Sequence, residues 1–240
     1  MYDQYAEDRK GEHPAAHLAE FQGVLQVDGY AGFKRLLAGR PPDQIKLAFC
    51  WAHCRRGFYE LYRSTGSPLA EEALRRIGEL YAIEAELRGR PPDKRRAGRQ
   101  ERSKPIVEAL HAWLTAQLGR VSGRSTLAEA MRYALRHWQE LVLFLDDGRL
   151  ELDTNTVERA IRPIALGRKN SLFAGSDGGA RHWATVASLV ATAKLNRVEP
   201  LAWLTDVLER VVSGRTKANE LERLLPWSWK AKRLATVVDT

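Results

Sequence analysis

The stretch Gly23-Val-Leu-Gln-Val-Asp28-Gly-Tyr30 carries the reading of the fold. Half-alternating β-branched and apolar residues that end in Asp-Gly predict a strand running into a turn, which leaves Asp28 at the strand's C-terminal end. Tyr30 to Leu37 have helical spacing, and Gly39-Arg-Pro-Pro42 breaks the chain. Ile45-Lys-Leu-Ala-Phe-Cys-Trp51 then predicts a second strand, leading to a helix near Arg55 to Tyr62. That β-α-β-α rhythm is typical of a mixed sheet covered by helices. Upstream, Pro14 to Phe21 reads as a short helix behind a charged leader.

Downstream the period changes. Leu69 to Leu87, Pro105 to Leu118 and Ser125 to Leu145 place apolar residues three and four apart, which predicts amphipathic helices without an intervening strand. Arg88 to Lys104 holds eight basic and two acidic residues with Gly and Pro, and by composition it is a solvated linker. A capped helix is expected to open at Asp153, a loop to run from Gly167 to Gly179, and helices to follow over Trp183 to Leu195 and Leu201 to Val212. The first of these two is apolar on nearly every side and is expected to be buried. The tail after Pro226 reads as loosely ordered at its end.

The 240 residues carry 38 Lys and Arg against 30 Asp and Glu, a net charge of +8 that favours an anionic partner. A hydrophobic fraction of 44% excludes wholesale disorder, and no apolar run is long enough for a membrane span. Without a secretory signal in the leader, the expected location is the cytoplasm. With two cysteines, Cys50 and Cys54, a disulfide framework is excluded.

Two carboxylates stand out. Asp28 is delivered from a strand to the sheet edge, a common place for catalytic groups in α/β folds, although Asp-Gly is equally ordinary turn chemistry. Glu158, in Asn155-Thr-Val-Glu158-Arg-Ala-Ile-Arg-Pro163, fits the third helical position of a capping box with Asn155 as N-cap, or a pair with Arg162 one turn on. Neither structural reading explains the Arg159, Arg162, Arg168, Lys169 and Asn170 that follow, a set suited to phosphates. Pro163 predicts a kink or an early stop in that helix. Were Asp28 and Glu158 to converge, they could hold divalent metals for phosphoryl transfer. Cys50-Trp-Ala-His53 has zinc-ligand spacing, but no second pair matches it, and Cys50 reads more simply as a small apolar strand residue. His53, Arg55 and Arg56 form a basic cluster able to meet a phosphate or a carboxylate.

Four ordered motifs, Leu-Gln-Val-Asp28-Gly-Tyr-Ala-Gly-Phe, Cys-Trp-Ala-His53-Cys-Arg-Arg, Asn155-Thr-Val-Glu158-Arg-Ala-Ile-Arg-Pro and Gly-Arg-Lys-Asn170-Ser-Leu-Phe-Ala-Gly-Ser, resemble transposases of the insertion-sequence-66 family. The resemblance implies an α/β fold, mostly α by residue count: part of a ribonuclease-H-like core, interrupted by a helical insertion. Residues 1–65 would carry the second Asp of an Asp-Asp-Glu triad, 66–147 the insertion with its basic linker 88–104, 148–212 the core helices with the catalytic Glu, and 213–240 a basic, Trp-containing tail. Asp28 and Glu158 would be catalytic and ligate Mg²⁺ (or Mn²⁺) for DNA strand cleavage and strand transfer. His53, Arg55, Arg56, Arg159, Arg162, Arg168, Lys169 and Asn170 would contact DNA. The implied partners are transposon ends and target DNA, other proteins of the same element or an N-terminal half, and further copies in a synaptic complex, in a bacterial, nucleoid-associated setting. The first Asp of the triad has no counterpart, since Asp3 and Asp8 lie in the polar leader. The expectation is therefore a fragment inactive alone, with a non-catalytic DNA-binding partner or regulator of transposition as the alternative.

Overall fold

In a computed structural model, residues 3–8, 10–29, 31–41, 44–167 and 175–238 are described. Both expected strands form. β1 (Gly23–Val27) and β2 (Ile45–Phe49) pair in parallel, with Val27 opposite Phe49, across a connection that contains a 3₁₀ segment, Ala31–Leu37. Alternation is weak because β2 is buried at Ile45, Leu47, Ala48 and Phe49, so only Lys46 reaches water. The chain is mostly helical. It divides into a unit of residues 9–159 and a unit of residues 1–8 with 160–240.

In the first unit, α1 (Glu12–His17) precedes β1, and α2 (Trp51–Thr65) leaves the end of β2. α2 buries Trp51, Cys54, Phe58 and Leu61 on one face. α3 (Pro68–Leu87) is opened by Ser67, whose hydroxyl accepts from the Ala70 N–H, with Pro68 in the first turn where a missing N–H costs nothing. α4 (Pro92–Gly98), a wide π turn at Arg99–Ser103 and α5 (Lys104–Leu118) follow without a break. Pro105, which cannot donate to the carbonyl four residues back, accounts for the local rewinding. α6 (Thr126–Arg136) and α7 (Trp138–Val142) split at His137 the helix expected over Ser125 to Leu145. Phe58, Ile77, Leu80, Leu110, Leu114, Met131 and Leu141 form the centre of one core with both strands.

The basic segment 88–104 is not a solvated linker. From Pro92 it is helical, and Arg95 and Arg99 are buried. Glu84 of α3 takes both: Arg95 Nη2 lies 2.5 Å and Arg99 Nη2 2.6 Å from Glu84 Oε1. The guanidinium groups continue onto carbonyls of the segment that follows α7, with Arg99 donating to Phe144 O at 2.9 Å and Leu150 O at 2.8 Å. Composition reads such a run as wet because isolated charges stay in water; a buried carboxylate and several free carbonyls reverse the balance.

α8 (Asn155–Gly167) begins in the first unit and ends in the second. It starts at Asn155, so Asn155 is not its N-cap: the Glu158 N–H donates to Thr154 O at 3.0 Å, and the Asn155 side chain instead donates to Asp153. The helix also passes Pro163 and reaches Gly167, so of the expected kink or early stop the stop does not occur.

The second unit holds α9 (Asp177–Leu195), α10 (Pro200–Val212), a 3₁₀ segment Ala218–Leu224 and α11 (Pro226–Val238). Trp203 is its buried centre, with Nε1 donating to Leu224 O at 2.8 Å. α9 is not the buried helix expected, since Trp183 is 52% exposed and Val186 and Leu189 also face outward. The tail is helical too: Trp229 donates to Asp206 and Lys230 to Asn196 O.

Candidate functional site

The parallel register sets the site. One residue beyond the Val27–Phe49 pair the two strands end in Asp28 and Cys50, at the C-terminal edge of the sheet. Asp28 is exposed and, with Gly29, His53, Cys54, Gly57, Ala130 and Tyr133, lines an open cleft of about 410 Å³. Gly29 has φ +88, and a Cβ there would stand 2.5 Å from Tyr133 Oη, so both backbone and neighbour require glycine behind Asp28. Burial, with smaller contributions from Cys54, Cys50 and Asp28, pushes the Tyr133 phenol up to about 12. It stays protonated beside the carboxylate.

Glu158 is brought to the same edge by the segment before α8. The Gln26 side chain on β1 donates to Glu151 O at 2.6 Å and accepts from the Glu151 N–H at 3.3 Å. The Trp51 N–H donates to Leu152 O at 3.1 Å, and the Thr154 N–H to Cys50 Sγ at 3.3 Å. Glu158 thus opens into the space over α2. Its Oε1 lies 3.6 Å from His53 Nδ1 and accepts from Thr154 Oγ1 at 3.2 Å, while Arg56 Nη2 is 3.9 Å from Oε2. His53 Nδ1 is buried without a hydrogen-bond partner. Cys50, His53 and Glu158 each offer a donor atom within 4.8 Å of the others. The third donor beside the Cys50–His53 spacing comes from a residue far along the chain, which local spacing does not reveal.

The remaining sequence-derived residues fare unevenly. Arg55 lies over the Tyr59 ring at 5.7 Å, and Arg56 is exposed. Arg159 is exposed and donates to Thr156 Oγ1; Arg162 is exposed four residues past Glu158 on α8. Arg168, Lys169 and Asn170 lie outside the described residues. Sequence reasoning missed Gln26, Thr154 and Tyr133, whose roles follow from partners distant in the chain. It also missed Tyr81, whose hydroxyl is buried; burial, then Asp153, pushes that phenol well up. Cys54, though, is a core residue, its thiol pushed up to about 12 by burial and, less, by Cys50.

The family model described as "Transposase IS66 family" matches residues 1–182, and that described as "IS66 C-terminal element" matches residues 188–227. The chain belongs to the IS66 transposase family. Three relatives from Sinorhizobium fredii (strain NBRC 101917 / NGR234) are similar along nearly all of it. "Uncharacterized protein y4jD" is 46% identical over 233 residues, covering 96% of this chain and 46% of that protein. "Uncharacterized protein y4qI" is 47% identical over 230 residues, covering 94% and 42%, and "Uncharacterized protein y4hP" 42% identical over 244 residues, covering 96% and 44%. This IS66-family chain thus spans less than half the length of these curated relatives. No solved structure matches it.

Proposed function

We propose that the chain is the catalytic C-terminal part of a DNA transposase whose two-stranded sheet belongs to a ribonuclease-H-like core, with Asp28 and Glu158 as two of its three metal-binding carboxylates. One observation carries this reading: His53 lines the Asp28 cleft and also faces Glu158, so two acidic residues on separate elements border one imidazole. Two carboxylates, one exposed and one half-exposed, suit Mg²⁺ (or Mn²⁺), which takes oxygen donors and keeps several waters. When bound, such ions activate a water or a DNA 3′-hydroxyl and stabilise the leaving oxygen.

The protein's own groups do the rest. Arg56 offsets the negative charge of Glu158, and Thr154 Oγ1 donates to the carboxylate oxygen that faces His53. Arg55 and Arg56 on α2, with Arg159 and Arg162 on α8, supply positive charge for the DNA backbone. Arg168, Lys169 and Asn170 extend that set in the sequence. Transposon ends and target DNA are the proposed partners, in a synaptic assembly of several copies in the bacterial cytoplasm. With Asp28 and Glu158 as the assigned carboxylates, the chain alone is proposed to bind DNA without cutting it.

Mn²⁺ titration followed by electron paramagnetic resonance tests the centre. Binding should weaken at least about tenfold in Asp28→Asn and in Glu158→Gln. Supplying the N-terminal part of a curated relative in trans should then permit Mn²⁺-dependent nicking of end-bearing DNA that Glu158→Gln abolishes. Salt-sensitive DNA binding without any Mn²⁺ site would replace this reading with that of a non-catalytic partner or regulator.

A further inference from the structure

Beside the oxygen pair lies a donor set of different chemistry. Cys50 Sγ, a nitrogen of His53 and a carboxylate oxygen of Glu158 lie within 4.8 Å of one another. We propose that Cys50, His53 and Glu158 form a binding site for a thiophilic divalent cation of the Zn²⁺ class, which shares Glu158 with the Mg²⁺ centre and, when filled, withdraws it. The regulatory consequence rests on the function proposed above; the binding itself does not.

Local structure presets two of the three donors. Cys50 is the residue before α2 and His53 lies in its first turn, so the sequence spacing brings sulfur and imidazole to one side of the helix start. Cys50 makes no capping hydrogen bond to α2, which leaves its sulfur turned to other partners. One of these is the Thr154 N–H at 3.3 Å, the kind of bond that orients a metal-bound thiolate from outside the coordination shell. The His53 Nδ1 atom is buried and lacks a hydrogen-bond partner, and at 3.6 Å from Glu158 Oε1 it is too far to donate. A buried nitrogen without a partner is destabilising unless something meets it. A cation between the three atoms would meet all of them.

The dimensions suit zinc. Bonds of about 2.0–2.3 Å in a tetrahedron place donors about 3.5 Å apart, so the three must draw in slightly. Glu158, half-exposed at the start of its helix, can move toward the fixed sulfur. The fourth position remains open to a water or a phosphate oxygen. Binding would release the Cys50 thiol proton to solvent as sulfur becomes a thiolate ligand. Sulfur and imidazole favour Zn²⁺ or Co²⁺ over Mg²⁺, which prefers oxygen throughout. The two centres therefore differ in metal preference while competing for one carboxylate.

Co²⁺ serves as the spectroscopic probe on the intact chain. The expected result is saturable binding with a thiolate-to-cobalt charge-transfer band and tetrahedral visible bands, all displaced by Zn²⁺. The charge-transfer band should vanish in Cys50→Ser and persist in Cys54→Ser, while His53→Ala and Glu158→Gln weaken binding at least about tenfold. Cadmium NMR on the wild-type chain decides the donor set without any variant: a shift for one sulfur supports the site. A shift for none or two overturns it, as does a charge-transfer band that survives Cys50→Ser. Zn²⁺ should also displace Mn²⁺ from wild-type chain but not from Cys50→Ser. Absence of Mn²⁺ binding alongside a cobalt–thiolate band would sink the proposed catalytic centre and leave the zinc-type site standing.

Discussion

Gln26 on β1 grips the backbone of Glu151 from both sides, donating to its carbonyl at 2.6 Å and accepting from its N–H at 3.3 Å. Its amide also reaches Asp153 O at 3.3 Å. A side chain two residues before Asp28 thereby holds the segment that leads to Glu158. Gln26→Leu should cost about 1–2 kcal/mol in urea denaturation, because backbone groups lose their partner. Amide exchange at Thr154 to Glu158 should quicken more than exchange in α3; uniform change across the unit would contradict this tie.

Gly29 carries two constraints at once, a left-handed backbone and the Tyr133 hydroxyl pressed against its open side. Gly29→Ala should destabilise the protein by more than about 1 kcal/mol. Adding Tyr133→Phe removes the contacting oxygen and should return part of that loss, leaving the backbone share. If the double variant is no more stable than Gly29→Ala, the close approach is not what excludes a side chain there.

Arg99 is wholly buried and bonds Glu84 with both Nε and Nη2. Arg99→Met would strand part of that charge and should cost about 3–5 kcal/mol. Arg102, paired with Glu86 at the surface, provides the contrast: Arg102→Met should leave the denaturation midpoint nearly unchanged.

Burial alone would raise the Glu84 carboxyl, yet Arg99 and Arg95 outweigh it and hold the group below the usual carboxylate range. A depressed folded value means the unfolded chain binds the proton more readily. This contribution to stability is therefore present above the ordinary carboxylate value and is lost as pH falls through the lower folded one. Acid titration of the denaturation midpoint should show that loss in wild-type protein and a shallower one in Glu84→Gln.

Arg56 faces Glu158 at 3.9 Å and is exposed enough to reach a phosphate. Arg56→Ala should weaken DNA binding similarly for different sequences and reduce the slope of log affinity against log salt by about one. An unchanged slope would place the DNA path elsewhere.

The elements that were legible in the sequence are those whose partners are near in the chain. Both strands, the helices after them and the family motifs around Asp28, His53 and Glu158 follow from period, turn residues and local spacing. The misreadings share a cause. Arg95 and Arg99 look solvated until Glu84 and the Leu150 carbonyl surround them. Asn155 looks like a cap until Asp153 engages its side chain and the helix starts at Asn155 itself, one residue earlier than a cap there allows. Trp183 looks like core because composition shows that a helix is apolar, not whether anything in its unit covers it.

Sequence alone could therefore establish the family, the β-α-β start and the residue types available for chemistry, since each depends on order and short-range period. Only the tertiary structure decided that Cys50 and Asp28 share a sheet edge and that Glu158 returns to His53. The reason is physical: strand register, the grip of Gln26 and the bond from the Thr154 N–H to Cys50 act between residues whose separation in the chain carries no periodic signal.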